Sequence, residues 1–188
     1  MVLGQHLKHL NTQACYVIDL FPVAVCDNVR INRCRLPEGE AYRGYPASQY
    51  CYFFGFKIQS FMTYDGLPVE LYLHAGSNAD ITGLKAPDPQ LPEGSVLYAA
   101  AAHTDYTLED EQREAGQVEL AVDRKANSKR PHGPWQNSLI QQFRKGIETA
   151  TSQIIERFPK STRVVMAQGF APKMPLFVPT YILVELGA

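Results

Sequence analysis

The chain has 188 residues, an apolar fraction of 45% and a formal net charge of −1, enough length and apolar content for one domain with a sizeable core. No apolar run reaches the roughly 18 residues of a membrane span, and the N-terminus MVLGQHLKHLNTQ lacks the apolar region of a signal peptide. Cys15, Cys26, Cys34 and Cys51 form no CxxC pair, so reduced cytosolic thiols are expected rather than a disulfide framework or a zinc site.

In chain order, CYVIDLFPVAV (Cys15–Val25) reads as a buried strand with one carboxylate, Asp19, near its end and Pro22 closing it. Residues Cys51–Gly76 read as a hairpin. Both arms are rich in aromatic and β-branched residues, and Asp65-Gly66 is a strong turn signal. SNADITGLKAP holds a short helix that Pro87 ends. Leu91–Gly94 is a turn into the strand Ser95–Tyr98, which runs straight into four alanines, Ala99 to Ala102. TLEDEQREAGQ reads as a charged surface helix with Gly116 at its C-cap, and VELAV (Val118–Val122) as another strand. A basic loop, DRKANSKRPHGP, leads to a long helix from near Trp135 to about Arg157. Its apolar positions Leu139, Ile140, Phe143, Ile147, Ile154 and Ile155 recur at helical spacing. In the tail, Phe170, Met174, Phe177, Tyr181 and Val184 keep helical spacing, yet Pro172, Pro175 and Pro179 fall among them, so a proline-broken helix is expected over 169–188.

Charge is unevenly spread. From Arg124 to Arg163 nine Lys/Arg face only Glu148 and Glu156, whereas Asp105 to Asp123 holds seven acids against Arg113. The basic stretch suits a phosphate-bearing partner and equally a solvated surface. Asp19 and Glu148 are the acids best placed in apolar or mixed elements. A carboxylate on a strand and one on a facing helix can converge on a divalent cation, although an acid at a strand end is more often a cap or a salt-bridge partner. Trp135 either stacks on a base or packs the helix start onto the core, and packing is the preferred role.

Taken together, the segments VIDLFPVAVCDNVRI, GEAYRGYPAS, YFFGFKIQ, DGLPVELYLHAGSNADI, LPEGSVLY, KANSKRP, RKGIETATSQIIERFPKS and the late GF resemble the catalytic domain of bacterial insertion-sequence DDE transposases, from about Tyr16 to Leu186. The resemblance implies an α/β fold, a ribonuclease-H-like mixed sheet flanked by helices, spanning residues 1–188 as one domain. It implies Mg²⁺-dependent cleavage of DNA at insertion-element ends and strand transfer into target DNA, in the bacterial cytoplasm at the nucleoid, by a homodimer or beside an intact transposase copy. Asp19 would be the first acid, and Glu148 with Arg144 four residues earlier matches the late Arg–Glu pair. The family's Tyr three residues before that Arg and Lys seven after the Glu are here Gln141 and Ile155.

The second acid of the family follows the central strand. Aligned through LPEGSV and TDY, that position is Ala100. Asp19 and Glu148 would then be the catalytic and metal-ligating residues with a gap between them, and the chain is expected to be inactive. His103, Asp105 and Asp80 are the nearest candidates to fill the gap. Imidazole is a poor Mg²⁺ ligand, helix capping suffices for Asp105, and Asp80 matches an acid the family already has. The resemblance assigns DNA contacts to Arg124, Lys125, Lys129, Arg130, Arg144 and Lys145. It also implies that an N-terminal helical DNA-binding region is missing ahead of Asp19. A non-catalytic DNA- or transposase-binding protein, or a decayed remnant, is the alternative.

Overall fold

The computed structural model describes residues 2–26, 31–32, 39–45, 50–85, 90–115, 118–157 and 180–184. Six strands form one mixed sheet: β1 (Cys15–Cys26), β2 (Arg43–Gly44), β3 (Phe53–Thr63), β4 (Pro68–Ala75), β5 (Ser95–Ala99) and β6 (Val118–Val122). The order is β2-β3-β1-β5-β6, with β4 also on β3. The β1–β3 and β3–β4 pairs are antiparallel, and β1–β5 and β5–β6 are parallel. The helices are α1 (Val2–Leu10), α2 (Asp80–Lys85), α3 (Tyr106–Ala115) and α4 (Pro134–Arg157). This is the mixed α/β sheet flanked by helices that the sequence leads one to expect.

The hairpin forms where the aromatic-rich arms meet at Asp65-Gly66. Gly66 takes φ 80, a left-handed conformation open to glycine, and its amide donates to the Thr63 carbonyl at 2.9 Å. Pro22 does not close β1. It pairs with Lys57 of β3, while β5 reaches β1 only at Cys15, Tyr16 and Val17. Among the described residues the other edge of β1 is therefore unpaired at Pro22, where a missing N–H costs nothing. Asp19 is consequently mid-strand, not near a strand end. Gly44, in the YRGY stretch, is a structural position: a Cβ there would collide with the Gly76 carbonyl and the Phe53 ring.

The core fills both faces of the sheet: Tyr16, Ile18, Phe61 and Leu97 are buried on one, and α4 covers the other. Ile140, Ile147, Ala150 and Ile154 are buried along one stripe, with Val17, Phe21, Ile58, Met62 and Tyr98 also in the core. The Tyr98 ring stacks on Phe143 at 4.0 Å and 9°, which fastens α4 over the end of β5. Pro134 opens α4 at a position where its missing N–H is free of cost. Helix α1 has no counterpart in the sequence reading. It packs on β4, and Lys8 reaches across to Glu70 and to the Gln90 carbonyl. Residues 180–184 form a helical turn with Tyr181 and Ile182 buried. The rest of the tail, with its three prolines, lies outside the described residues, as do Cys34, Pro87 and Gly116.

Candidate functional site

Side chains alternate across a strand, so residues paired in register share a face. Val17 pairs with Tyr98, and Tyr98 with Ala121. Two residues further on, the same face carries Asp19 on β1, Ala100 just past β5, and Asp123 just past β6. The backbone supports this continuation. Ala100 is extended, with φ −70 and ψ 157, and the Asp123 amide donates to the Ala99 carbonyl at 2.8 Å. The middle of β1 and the neighbouring ends of β5 and β6 thus present carboxylate, methyl and carboxylate in a row.

Helix α4 lies across this row. Thr151 Oγ1 donates to Asp19 Oδ2 at 2.6 Å, and the Leu20 amide donates to Asp19 Oδ1 at 2.9 Å. Arg144 Nη1 pairs with Asp123 Oδ2 at 2.7 Å, and its Nη2 with Glu148 Oε1 at 3.3 Å. Arg144 therefore bridges the β6 end and the helix, one turn before Glu148, whose side chain is 64% exposed. Asp19 and Ala100 share this face, and Arg144 reaches it from α4 through Asp123 while holding Glu148 with its other nitrogen. The residue that the sequence reading missed is Asp123. Its signal was an acid directly after the apolar strand VELAV; it was counted instead into the acidic segment before the basic loop.

Neighbouring groups have other work. Asp105 caps α3, accepting from the Thr107 and Leu108 amides at 3.1 and 3.3 Å. The Lys85 ammonium, 2.5 Å away, holds its carboxyl below the usual range. Asp80 opens α2 and pairs with Lys57 at 3.1 Å. His103 is 2% exposed, and among the described residues neither ring nitrogen has a hydrogen-bond partner of normal geometry. Burial pushes its pKa down, against the opposing pull of Asp80 and Asp19, so the ring is neutral near pH 7.

The donor set does not fit the metal that the resemblance implies. Two carboxylates flank a methyl group, one of them also holding Thr151, and Glu148 is tied to Arg144. Among the described residues no three His, Cys, Asp or Glu side chains are grouped to hold a metal ion.

The basic segment divides in two. Arg124 forms a buried fork with Glu109, Nη1 to Oε1 at 2.8 Å and Nη2 to Oε2, their side chains 6% and 3% exposed. Arg130 forks onto Asp110 at 2.8 Å through both nitrogens. Both guanidinium groups lie over the Tyr106 ring, at 5.1 and 4.8 Å. The acids of α3 therefore neutralise the arginines of the loop, and the two charge blocks of the sequence fold onto each other. Lys125, Lys129 and Lys145 are exposed and have no ion-pair partner among the described residues. Trp135 is 74% exposed, so it does not pack the start of α4 onto the core.

Against known proteins, a family model described as a transposase DDE domain matches residues 10–159. No curated protein and no solved structure matches the chain.

Proposed function

The chain belongs to the transposase DDE domain family, and from that premise we propose that it engages DNA without cutting it. The row Asp19–Ala100–Asp123 carries this reading. Where the family resemblance asks for a second acid beside the first, the row offers a methyl group, which can neither bind a cation nor orient a water. Losing one ligand of a shared metal site removes several kcal/mol of transition-state stabilisation. The remaining groups support each other instead. Arg144 neutralises Asp123 and Glu148, and Thr151 occupies one oxygen of Asp19. The protein's own cation thereby answers the charge that a metal would otherwise answer.

Lys125, Lys129 and Lys145 are the groups we assign to backbone phosphates, through charge and not through base edges. The DNA is that of insertion-element ends or their targets, met alone or beside an active copy. No helix among the described residues is long and apolar enough to cross a membrane. The test is a plasmid-nicking assay with Mg²⁺ or Mn²⁺ run beside a salt-dependent binding assay. Binding without nicking is expected. Robust cleavage by the unmodified chain, abolished by Glu148→Ala, would overturn the reading.

A further inference from the structure

Strand β4 lies at the outside of the sheet: it pairs with β3 and, among the described residues, with no other strand. The ladder fixes which of its backbone groups face outward. The Gly76 amide donates to the Gly55 carbonyl at 3.0 Å, one step beyond the pair Phe56–Ala75, and at the other end the Thr63 amide donates to the Leu67 carbonyl at 2.9 Å. Hydrogen-bonded pairs alternate along an antiparallel ladder. Glu70, Tyr72 and His74 therefore bond into β3, and Leu71, Leu73 and Ala75 turn their N–H and C=O groups to the outside. Both ends of this edge are occupied. A Cβ on Gly4 would stand 2.1 Å from the Val69 carbonyl, so α1 crosses the edge there, and the Ala75 carbonyl accepts from the Asn78 amide at 3.0 Å. Between them, Leu71 and Leu73 present outward backbone groups with no partner among the described residues. No lysine, proline or bulge, the usual protections of an open edge, interrupts Leu71 to Ala75. The Leu73 side chain is 41% exposed at the same place.

We propose that this edge is a self-association surface, on which β4 of a second copy of the chain adds antiparallel and extends the sheet. A row of unmet N–H and C=O groups is recognised by the backbone of another strand, and this strand fits itself about a two-fold axis through Tyr72. In that register Leu71 of each copy lies opposite Leu73 of the other, and the pair exchanges its outward hydrogen bonds. The occupied Val69 and Ala75 carbonyls are not needed. On one face the two leucines form an apolar cross-strand pair. On the other, Glu70 lies opposite His74 and Tyr72 opposite Tyr72, so no like charges meet, as stable cross-strand neighbours require. The contact is isologous and closes at two copies, because each β4 has one edge to give. It is remote from the carboxylate row, goes beyond the DNA-binding reading and is tested without DNA.

The test is sedimentation equilibrium of the DNA-free chain from about 1 to 100 μM, a range that detects micromolar association. A reversible monomer–dimer equilibrium is expected. Leu73→Pro removes an N–H that points away from β3, so the ladder within each copy stays whole. The two-fold deletes that bond twice in the dimer, which should weaken association at least about tenfold. Leu73→Val keeps the backbone and should stay within about threefold of the parent. Leu73→Lys changes an exposed side chain and no backbone group, and should weaken association as an edge charge does. Thermal melts check that each variant is folded. On mild oxidation Tyr72→Cys should form an interchain disulfide above the background of the parent, because the axis brings the two Cβ atoms to cross-strand distance. A chain that stays monomeric to the top of the concentration range overturns the interface and leaves the edge to a strand of another protein. A dimer that Leu73→Pro and Leu73→Lys both leave intact is held at another surface and overturns it as well. Failure of folded, dimeric Tyr72→Cys to cross-link overturns the register.

Discussion

Restoring a carboxylate at Ala100 probes the reading of the site most directly. In Ala100→Asp the new group would stand between Asp19 and Asp123, one strand spacing from each, about 4.8 Å. Two like charges about 5 Å apart repel by about 3 kcal/mol at an effective dielectric constant of 20. Arg144, 2.7 Å from Asp123, offsets one of the two repulsions, so the net cost is about one pair, roughly 2–3 kcal/mol. At about 2–4 °C per kcal/mol for a chain of this size, Tm in EDTA should fall by about 4–12 °C. Ala100→Asn is the control for shape and should lose much less, because it adds no charge. A divalent cation bound by the three carboxylates of the folded state alone would reverse the loss, by about 2.7 kcal/mol at a concentration one hundred times its dissociation constant. The assay is a set of thermal melts of the parent, Ala100→Asp and Ala100→Asn in EDTA and in millimolar Mn²⁺. The expected pattern is a Mn²⁺ response in Ala100→Asp alone. If the parent gains as much from Mn²⁺ as Ala100→Asp does, Ala100 is not a lost ligand. If Ala100→Asp melts with the parent in EDTA, the three positions do not form a row.

Glu109→Gln leaves the Arg124 guanidinium buried without its counter-charge, so stability should drop by about 3–5 kcal/mol in a urea or thermal melt; a loss under 1 kcal/mol would show that this fork is not desolvated. Replacing Lys125, Lys129 and Lys145 together by alanine should flatten the plot of log binding constant against log salt by about 2–3 units. An unchanged slope would place the phosphate contacts elsewhere. His103 gives a pH signature. Its folded pKa lies below the ordinary 6.5 because burial disfavours the charged ring, while Asp80 on α2, Asp19 on β1 and Arg144 on α4 act on it. A depressed folded pKa means that the unfolded chain binds the proton first, so stability is intact above about pH 6.5 and is lost as pH falls toward the folded value. His103→Leu should reduce the slope of Tm against pH between about pH 6.5 and 5, and equal slopes would refute the assignment.

Much of this protein was legible in its sequence because the signals were local. Asp65-Gly66 between two β-rich arms specified the hairpin, and the i, i+3, i+4 spacing from Ile140 to Ile154 specified α4. VELAV became β6 with the bounds read from sequence. Asp19 and Glu148 stood out as acids in apolar or mixed elements, whereas Ala100 and Arg144 were singled out by the family resemblance. Helix α1 was not seen, since its nine residues take their place from contacts with β4, far away in the chain. Pro22 was misread for the same reason: whether a proline ends a strand depends on which edge is paired there, and only the sheet order decides that.

The sequence by itself determined which chemical groups are present: an acid on the first strand, an Arg–Glu pair one turn apart on the long helix, and alanines after the central strand, where the family resemblance implies an acid. It could do so because backbone periodicity and turn chemistry act over a few residues. Tertiary structure alone decided how those groups answer one another. Parallel pairing of β5 with β6 set Asp123 beside Ala100. The fold of α3 onto the basic loop placed Glu109 and Asp110 against Arg124 and Arg130 and left Lys125 and Lys129 facing outward. Electrostatic partners are chosen by distance in space, and fifteen to twenty residues separate those charges along the chain.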